Sequence, residues 1–183
     1  MISPREADHI RTRLRKQSKQ PAIRWRRSLG VEFRRGIRLA VDWGKARVGV
    51  AACDADGLLA YPVETVPTGP ATAKRLAQLC AEYEPIEVLL GWPVNLVGRE
   101  GPAVQQMAEV ADHLHAELGL PLRVVDERLS TASAARKLKA TGKSARRQRR
   151  IIDQAAAVDI LEQALEFEKR TGRPAGRAWH QEG

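Results

Sequence analysis

Three acids stand where the surrounding pattern calls for apolar side chains. Asp42 lies near the end of the run Ile37–Trp43. Ile37, Leu39, Val41 and Trp43 alternate onto one face of this run, and Arg38, Ala40 and Asp42 onto the other. A strand covered on both faces makes a carboxylate costly unless a partner offsets its desolvation. Asp153 falls in a helical pattern over Ile151–Lys169. At about 100° per residue, Ile160, Ala164 and Ala157 lie within about 40° of it, which puts it at the centre of an apolar stripe aimed at the sheet. Glu127 ends the run Leu122–Glu127 on the face of Arg123 and Val125, while Asp126 takes the other. Each acid alone has a plain alternative. Asp42 could cap the turn before Gly44, Asp153 could be an anion at a helix N-terminus, and Glu127 could be a polar strand end. Brought together, three carboxylates repel one another and call for a hard cation. Mg²⁺ or Mn²⁺ prefers oxygen ligands and keeps positions open for phosphate. Two such ions about 4 Å apart stabilise both the attacking and the leaving oxygen of phosphodiester hydrolysis. The chemistry indicated is that of a metal-dependent nuclease.

The elements that must position these acids follow in a clear order. Ile37–Trp43 and Arg47–Cys53 are joined by Gly44-Lys45-Ala46, too short for a crossover, so they should pair as an antiparallel hairpin. Asp54-Ala55-Asp56-Gly57 is a turn, and Leu58–Val66 a third strand whose Pro62 signals an edge or a bulge. A helix is expected near Ala71–Tyr83, a buried strand at Glu87–Trp92, and an amphipathic helix through Val104, Met107, Ala111, Leu114 and Leu118. After the strand Leu122–Glu127 come a short helix, Thr131–Ala140, and the long one carrying Asp153. The expectation is an α/β fold: a five-stranded mixed sheet, antiparallel in its first three strands and flanked by helices. Ligands of such sheets gather at strand ends.

The chain has 183 residues with 31 Lys+Arg against 22 Asp+Glu, a net +9. Residues 1–36 carry 11 basic and 3 acidic groups, so most of the excess sits there. This stretch reads as a basic, flexible N-terminal extension, residues 37–170 as the nuclease domain, and 171–183 as a C-terminal tail. The extension is either a solvated arm or a polyanion-binding one acting through counterion release. A second cluster, Arg136, Lys137, Lys139, Lys143, Arg146, Arg147, Arg149 and Arg150, has no acid among it and favours a phosphate backbone over a merely solvated face. Cys53 and Cys80 form no metal pattern and read as small core residues of a reducing, cytoplasmic environment. His113 and His115 are two apart on a helix and point different ways, so no zinc site is indicated. No apolar run is long enough to span a membrane, and no signal segment stands out.

Four motifs carry a family resemblance. They are Asp42-Trp43-Gly44-Lys45-Ala46-Arg47-Val48-Gly49-Val50-Ala51, Gly91-Trp92-Pro93, Asp126-Glu127-Arg128-Leu129-Ser130-Thr131 and Asp153-Gln154-Ala155-Ala156-Ala157. In this order and spacing the chain resembles the YqgF/RuvX family of pre-16S rRNA nucleases, also described as Holliday-junction resolvase-like, over residues 37–168. The resemblance implies an RNase H-like fold and a catalytic, metal-binding triad of Asp42, Glu127 and Asp153, with Asp42 shared between two ions. It gives Arg47 and Arg128 to substrate phosphate or to orienting the acids. Arg128 could equally pair with Asp126. Lys143, Arg146, Arg147, Arg149 and Arg150 would extend the contact to nucleic acid, and the Gly91–Gly98 loop would approach the substrate backbone. Trp92 stands where the family usually has Leu.

The implied partners are nucleic acid, either pre-rRNA or branched DNA, and ribosomal particles; no membrane is involved. Cutting a junction favours a homodimer, whereas trimming rRNA can be done by a monomer. Two other classes compete. A sugar kinase of the actin-like fold also opens with a D-x-G hairpin, but 183 residues hold only one such domain and no second phosphate loop follows. A non-catalytic RNA- or ribosome-binding protein could keep the fold, although an intact triad argues against it.

Overall fold

The computed structural model describes residues 33–92, 101–126 and 145–180, and for 145–153 the helix alone without side chains. β1 (Arg38–Trp43) and β2 (Arg47–Cys53) form the expected antiparallel hairpin, with Asp42 opposite Gly49 and Val41 opposite Val50. The link is tight: the Gly44 N–H donates to the Arg47 carbonyl at 2.9 Å. A Cβ on Gly44 would stand 2.6 Å from that same carbonyl oxygen, so the turn requires glycine. The Thr68 hydroxyl donates to the Gly44 carbonyl at 2.8 Å and ties the turn down. β3 (Ala60–Pro67) pairs antiparallel with β2 at the sheet edge. Its register slips between Val50 and Ala51, next to Pro62, so proline signals both an edge and a bulge here.

α1 (Thr72–Tyr83) leads into β4 (Glu87–Trp92), and α2 (Pro102–Leu118) into β5 (Leu122–Asp126). Both strands run parallel to β1, in the order β3-β2-β1-β4-β5-β6. The sheet thus has six strands rather than five. The added one, β6 (Arg177–Ala178), pairs antiparallel with β5 and lies in the stretch read as a tail. Two residues carry no alternation, so no periodicity could reveal it. It is held by packing, since Trp179 and Ala175 are buried.

Two apolar layers sandwich the sheet. Leu39, Val41, Val48, Val50, Val88 and Leu90 face α1 and α2. Ala40, Ala51, Cys53, Leu89 and Val125 face α3 (Ala145–Thr171). Both cysteines are buried, as the sequence suggests. α3 begins six residues before the expected Ile151, because the arginine-rich segment continues the helix. The short helix expected at residues 131–140 lies outside the described residues. Of the stretch read as an extension, residues 33–36 pack on the domain. A Cβ on Gly57 would meet the Phe33 ring at 2.5 Å, and the Gly36 N–H donates to the Ala55 carbonyl at 2.8 Å.

Candidate functional site

Because β1, β4 and β5 run parallel, their C-terminal ends open at one edge of the sheet. Asp42 stands at that edge. Its neighbours two and four residues back, Ala40 and Arg38, contact the α3 side, so strand alternation puts Asp42 on the α3 face, half-buried. Gly49, directly opposite on β2, adds no side chain to that face. Arg47 is half-buried on the same face of β2, diagonal to Asp42 and within reach of it across the hairpin. The D-x-G-x-x-R-x-G spacing therefore has a direct geometric sense. It sets an acid and a guanidinium diagonally across the hairpin on one face, with no side chain on Gly49 opposite the acid.

β5 shows the same logic. Val125 belongs to the α3 layer, while Asp126, paired in register with Trp92, ends the strand on the opposite face. Glu127 follows directly and lies outside the described residues, as do Arg128 and Lys143. Arg146, Arg147, Arg149 and Arg150 lie in the first two turns of α3.

Asp153 is the ninth residue of α3, in its third turn. Helix-dipole stabilisation fades after the first turn, so the capping alternative for this acid falls away. Of the described side chains of α3, Ala157, Ile160, Leu161, Ala164, Leu165 and Glu168 are buried against the sheet side. Along the axis, Ile160 lies over Gly91, which is level with Asp42. Asp153 is two turns, about 10 Å, nearer the helix start, just past the strand ends.

α3 can come this close only because Gly91 has no side chain: a Cβ there would stand 2.5 Å from Ile160 Cδ1. At the other end of the sheet is an ion cluster that pattern reading overlooked. Arg38 is fully buried and donates to Glu87 Oε1 at 3.1 Å and to Glu168 Oε2 at 2.9 Å. Arg34 donates to the same two carboxylates at 2.6 and 2.8 Å. Burial pushes the Glu168 carboxyl up, but the hydrogen bonds from Arg34 and the Arg38 charge outweigh it and hold it below the usual carboxylate range. The signal was present in the sequence, since Glu168 falls about 60° from Asp153, among the apolar residues.

A divalent cation fits the donors. Asp42, Glu127 and Asp153 offer only carboxylate oxygens, the ligand type that Mg²⁺ and Mn²⁺ prefer. Cys53 is at the far end of the sheet, and His113 and His115 are on α2, against the opposite face. Among the described residues no group of three His, Cys, Asp or Glu could hold a metal. Two of the three expected ligands, Glu127 and Asp153, lie outside the described side chains.

A three-strand antiparallel meander continued by two parallel strands, with an acid at the end of β1 and a helix laid over that face, defines an RNase H-like α/β protein. The fold matches Thermus thermophilus RuvC, solved in complex with Holliday junction substrate. That match has a TM-score of 0.51 at 13% identity and covers 78% of this chain and 99% of that one. The family model described as "RuvX: Holliday junction resolvase" matches residues 36–167. A protein of Streptomyces coelicolor named "Putative pre-16S rRNA nuclease" is 53% identical over 150 residues, covering 80% of this chain and 90% of its own length. A protein of the same name from Cutibacterium acnes is 54% identical over 132 residues, covering 72% and 82%. The chain belongs to the RuvX family.

Proposed function

We propose that this protein is a nuclease that hydrolyses backbone phosphodiesters, with the 5′ end of pre-16S rRNA as its substrate in ribosome biogenesis. The carrying observation is Asp42. A half-buried carboxylate at the open end of three parallel strands, on the helix-covered face and diagonal to Arg47, supports a site for phosphate chemistry. The family's printed name points to junctions and its relatives' names to rRNA. High identity to the named relatives favours RNA. Four-way DNA is the second reading, and a non-catalytic RNA-binding protein the third.

Asp42, Glu127 and Asp153 would together hold the cation. Asp126, by contrast, ends β5 on the face away from Asp42. When bound, a divalent ion polarises the scissile phosphate and eases ionisation of the attacking water. Arg47 binds a non-bridging phosphate oxygen, the guanidinium geometry suiting a bidentate contact. Arg128, Lys143, Arg146, Arg147, Arg149 and Arg150 track the flanking backbone, giving affinity without sequence preference. Water is the nucleophile, and no protein side chain needs to be covalently modified. The arrangement is suited to the cytoplasm, where its substrate is made, and no helix among the described residues is long and apolar enough to cross a membrane.

The test is cleavage by purified full-length protein of an RNA spanning the 5′ end of 16S rRNA and of a four-way DNA junction. Each is run in Mg²⁺, in Mn²⁺ and in EDTA. Metal-dependent cutting of the RNA supports the proposal. Cutting of the junction alone moves the substrate to DNA, and binding of either without cutting in any metal overturns the enzymatic reading.

A further inference from the structure

The acids assigned to the site sit on separate elements, and something must fix how far α3 slides along β1. The apolar contact between them does this poorly. Ala40 and Ala51 on the sheet share a layer with Ala157 and Ala164 on the helix, small side chains with little to interlock, so that beside Ile160 over Gly91 the apolar surface is largely non-directional. The Arg38–Glu168 pair is different in kind. Arg38 is 1% and Glu168 2% exposed, and the pair joins the strand that carries Asp42 directly to the helix that carries Asp153. Arg38 is on the same face of β1 as Asp42, about 13 Å before it along the strand. Glu168 is about 22 Å along the helix from Asp153, on the buried side.

Every polar atom in this cluster is occupied. Arg38 also donates to the Gly36 and Arg34 carbonyls at 2.9 and 2.7 Å, and Glu87 at the start of β4 takes Arg34 and Arg38 together. A one-residue slip of α3 would move Glu168 by about 1.5 Å and turn it by about 100°. Its buried carboxylate would then leave Arg38. Buried ionic contacts of this kind contribute little net stability but strongly disfavour wrong registers. Phe33 closes the cluster, its ring 4.8 Å from the Arg38 guanidinium.

We infer that Glu168, through its buried contact with Arg38, is a positioning residue for the nuclease site, setting the axial register of α3 and with it the distance of Asp153 beyond the end of the strand that carries Asp42. This rests on the reading of Asp42 and Asp153 as metal-holding acids. The role differs from that of an ordinary buried ion pair, because the consequence appears at the other end of the helix.

The test uses full-length Glu168→Gln, which keeps the shape and one carbonyl acceptor, beside Leu114→Ala. Leu114 is buried on α2 in the opposite layer, so its loss lowers stability without touching α3. Two readouts are taken: Mn²⁺ binding, by electron paramagnetic resonance of the free ion, and cleavage below the melting transition of every variant. For Glu168→Gln, Mn²⁺ binding should weaken roughly tenfold and kcat fall by at least about tenfold, as when a ligand's outer support is lost. KM for nucleic acid should hold within about twofold, because the basic contacts are untouched. Leu114→Ala should lower the melting temperature and leave both readouts unchanged. Wild-type Mn²⁺ binding and kcat in Glu168→Gln would overturn the inference, as would an equal loss in Leu114→Ala. Asp153→Asn serves as the separate control. If it binds Mn²⁺ and cleaves like wild type, the site reading itself fails, whereas a dead Asp153→Asn beside an intact Glu168→Gln refutes the register role alone.

Discussion

Adding one methyl group at Gly91 should cost stability, and removing one from Ile160 should restore most of it. A Cβ at position 91 would stand 2.5 Å from Ile160 Cδ1, 3.5 Å from its Cγ1 and 3.6 Å from the Val41 carbonyl oxygen. Favourable carbon contacts begin near about 3.5 Å, so the clash with Cδ1 amounts to roughly 1 Å. Ile160 is only 4% exposed and is packed among neighbours that must move with it. Gly91→Ala should therefore cost about 1–3 kcal/mol, the usual range for overpacking. Ile160→Val deletes the clashing Cδ1 and alone costs about 0.5–1.5 kcal/mol. Independent effects would add to about 1.5–4.5 kcal/mol in the double variant. A volume-conserving exchange should instead cost under about 1.5 kcal/mol, which makes the coupling roughly 1–3 kcal/mol. Urea unfolding measures this from the midpoints, provided that the slopes agree. Thermal midpoints should move in parallel, by about 2–4 °C per kcal/mol for a domain of this size. Additivity within about 0.5 kcal/mol would refute the claim that Gly91 is glycine to admit α3.

Three further outcomes follow from the same contacts. Glu168 is held below the usual carboxylate range, so its contribution to stability is complete above its unfolded pKa of about 4.3 and is lost as pH falls through the lower folded value. Glu168→Gln should thus be less stable at pH 7 and show a shallower acid limb in denaturant titrations from pH 7 to 3; an unchanged slope contradicts the pairing. Trp179 is buried and donates to Asp112 at 2.9 Å, so Trp179→Ala should lower stability by about 3–5 kcal/mol in urea unfolding, a loss foreign to a solvated tail. Deleting residues 1–32, a net +6, should leave Phe33 and Arg34 in place and reduce the slope of log K against log salt for RNA by up to about 4; an unchanged slope means that the arm does not touch phosphate.

How legible the molecule is in its sequence depends on the periodicity in play. Strand alternation repeats every two residues, so it assigns Asp42 to the α3 face from six residues alone, and the buried layers agree. The face that Val125 shares with α3 follows from the same rule. Helical phase is weaker. Apolar type and burial part company on α3: Phe167 and Ala156 are only half-buried, whereas the charged Glu168 is buried. The helix start was misplaced because arginines usually signal solvent, whereas here they extend the helix by six residues. The ion cluster needs tertiary knowledge. Arg34, Arg38, Glu87 and Glu168 span 134 residues, and no local pattern pairs them. β6 is too short to announce itself, and it exists because Trp179 and Ala175 are buried on either side of it. The motifs of the resemblance reach Glu127 and Arg128, which lie outside the described residues.

The central claim is that Asp42, Glu127 and Asp153 serve the hydrolysis of backbone phosphodiesters. Single-turnover cleavage of the pre-16S end fragment in Mg²⁺ tests it most directly, with Asp42→Asn, Glu127→Gln and Asp126→Asn run beside wild type. Asp42→Asn and Glu127→Gln should each lose roughly 10²–10³-fold or more in rate, the scale expected when a group stabilising developing charge is removed. Asp126→Asn, one residue away but on the opposite face, should stay within about tenfold of wild type. Activity that survives Asp42→Asn, or that is lost equally on changing Asp126, would contradict the assignment.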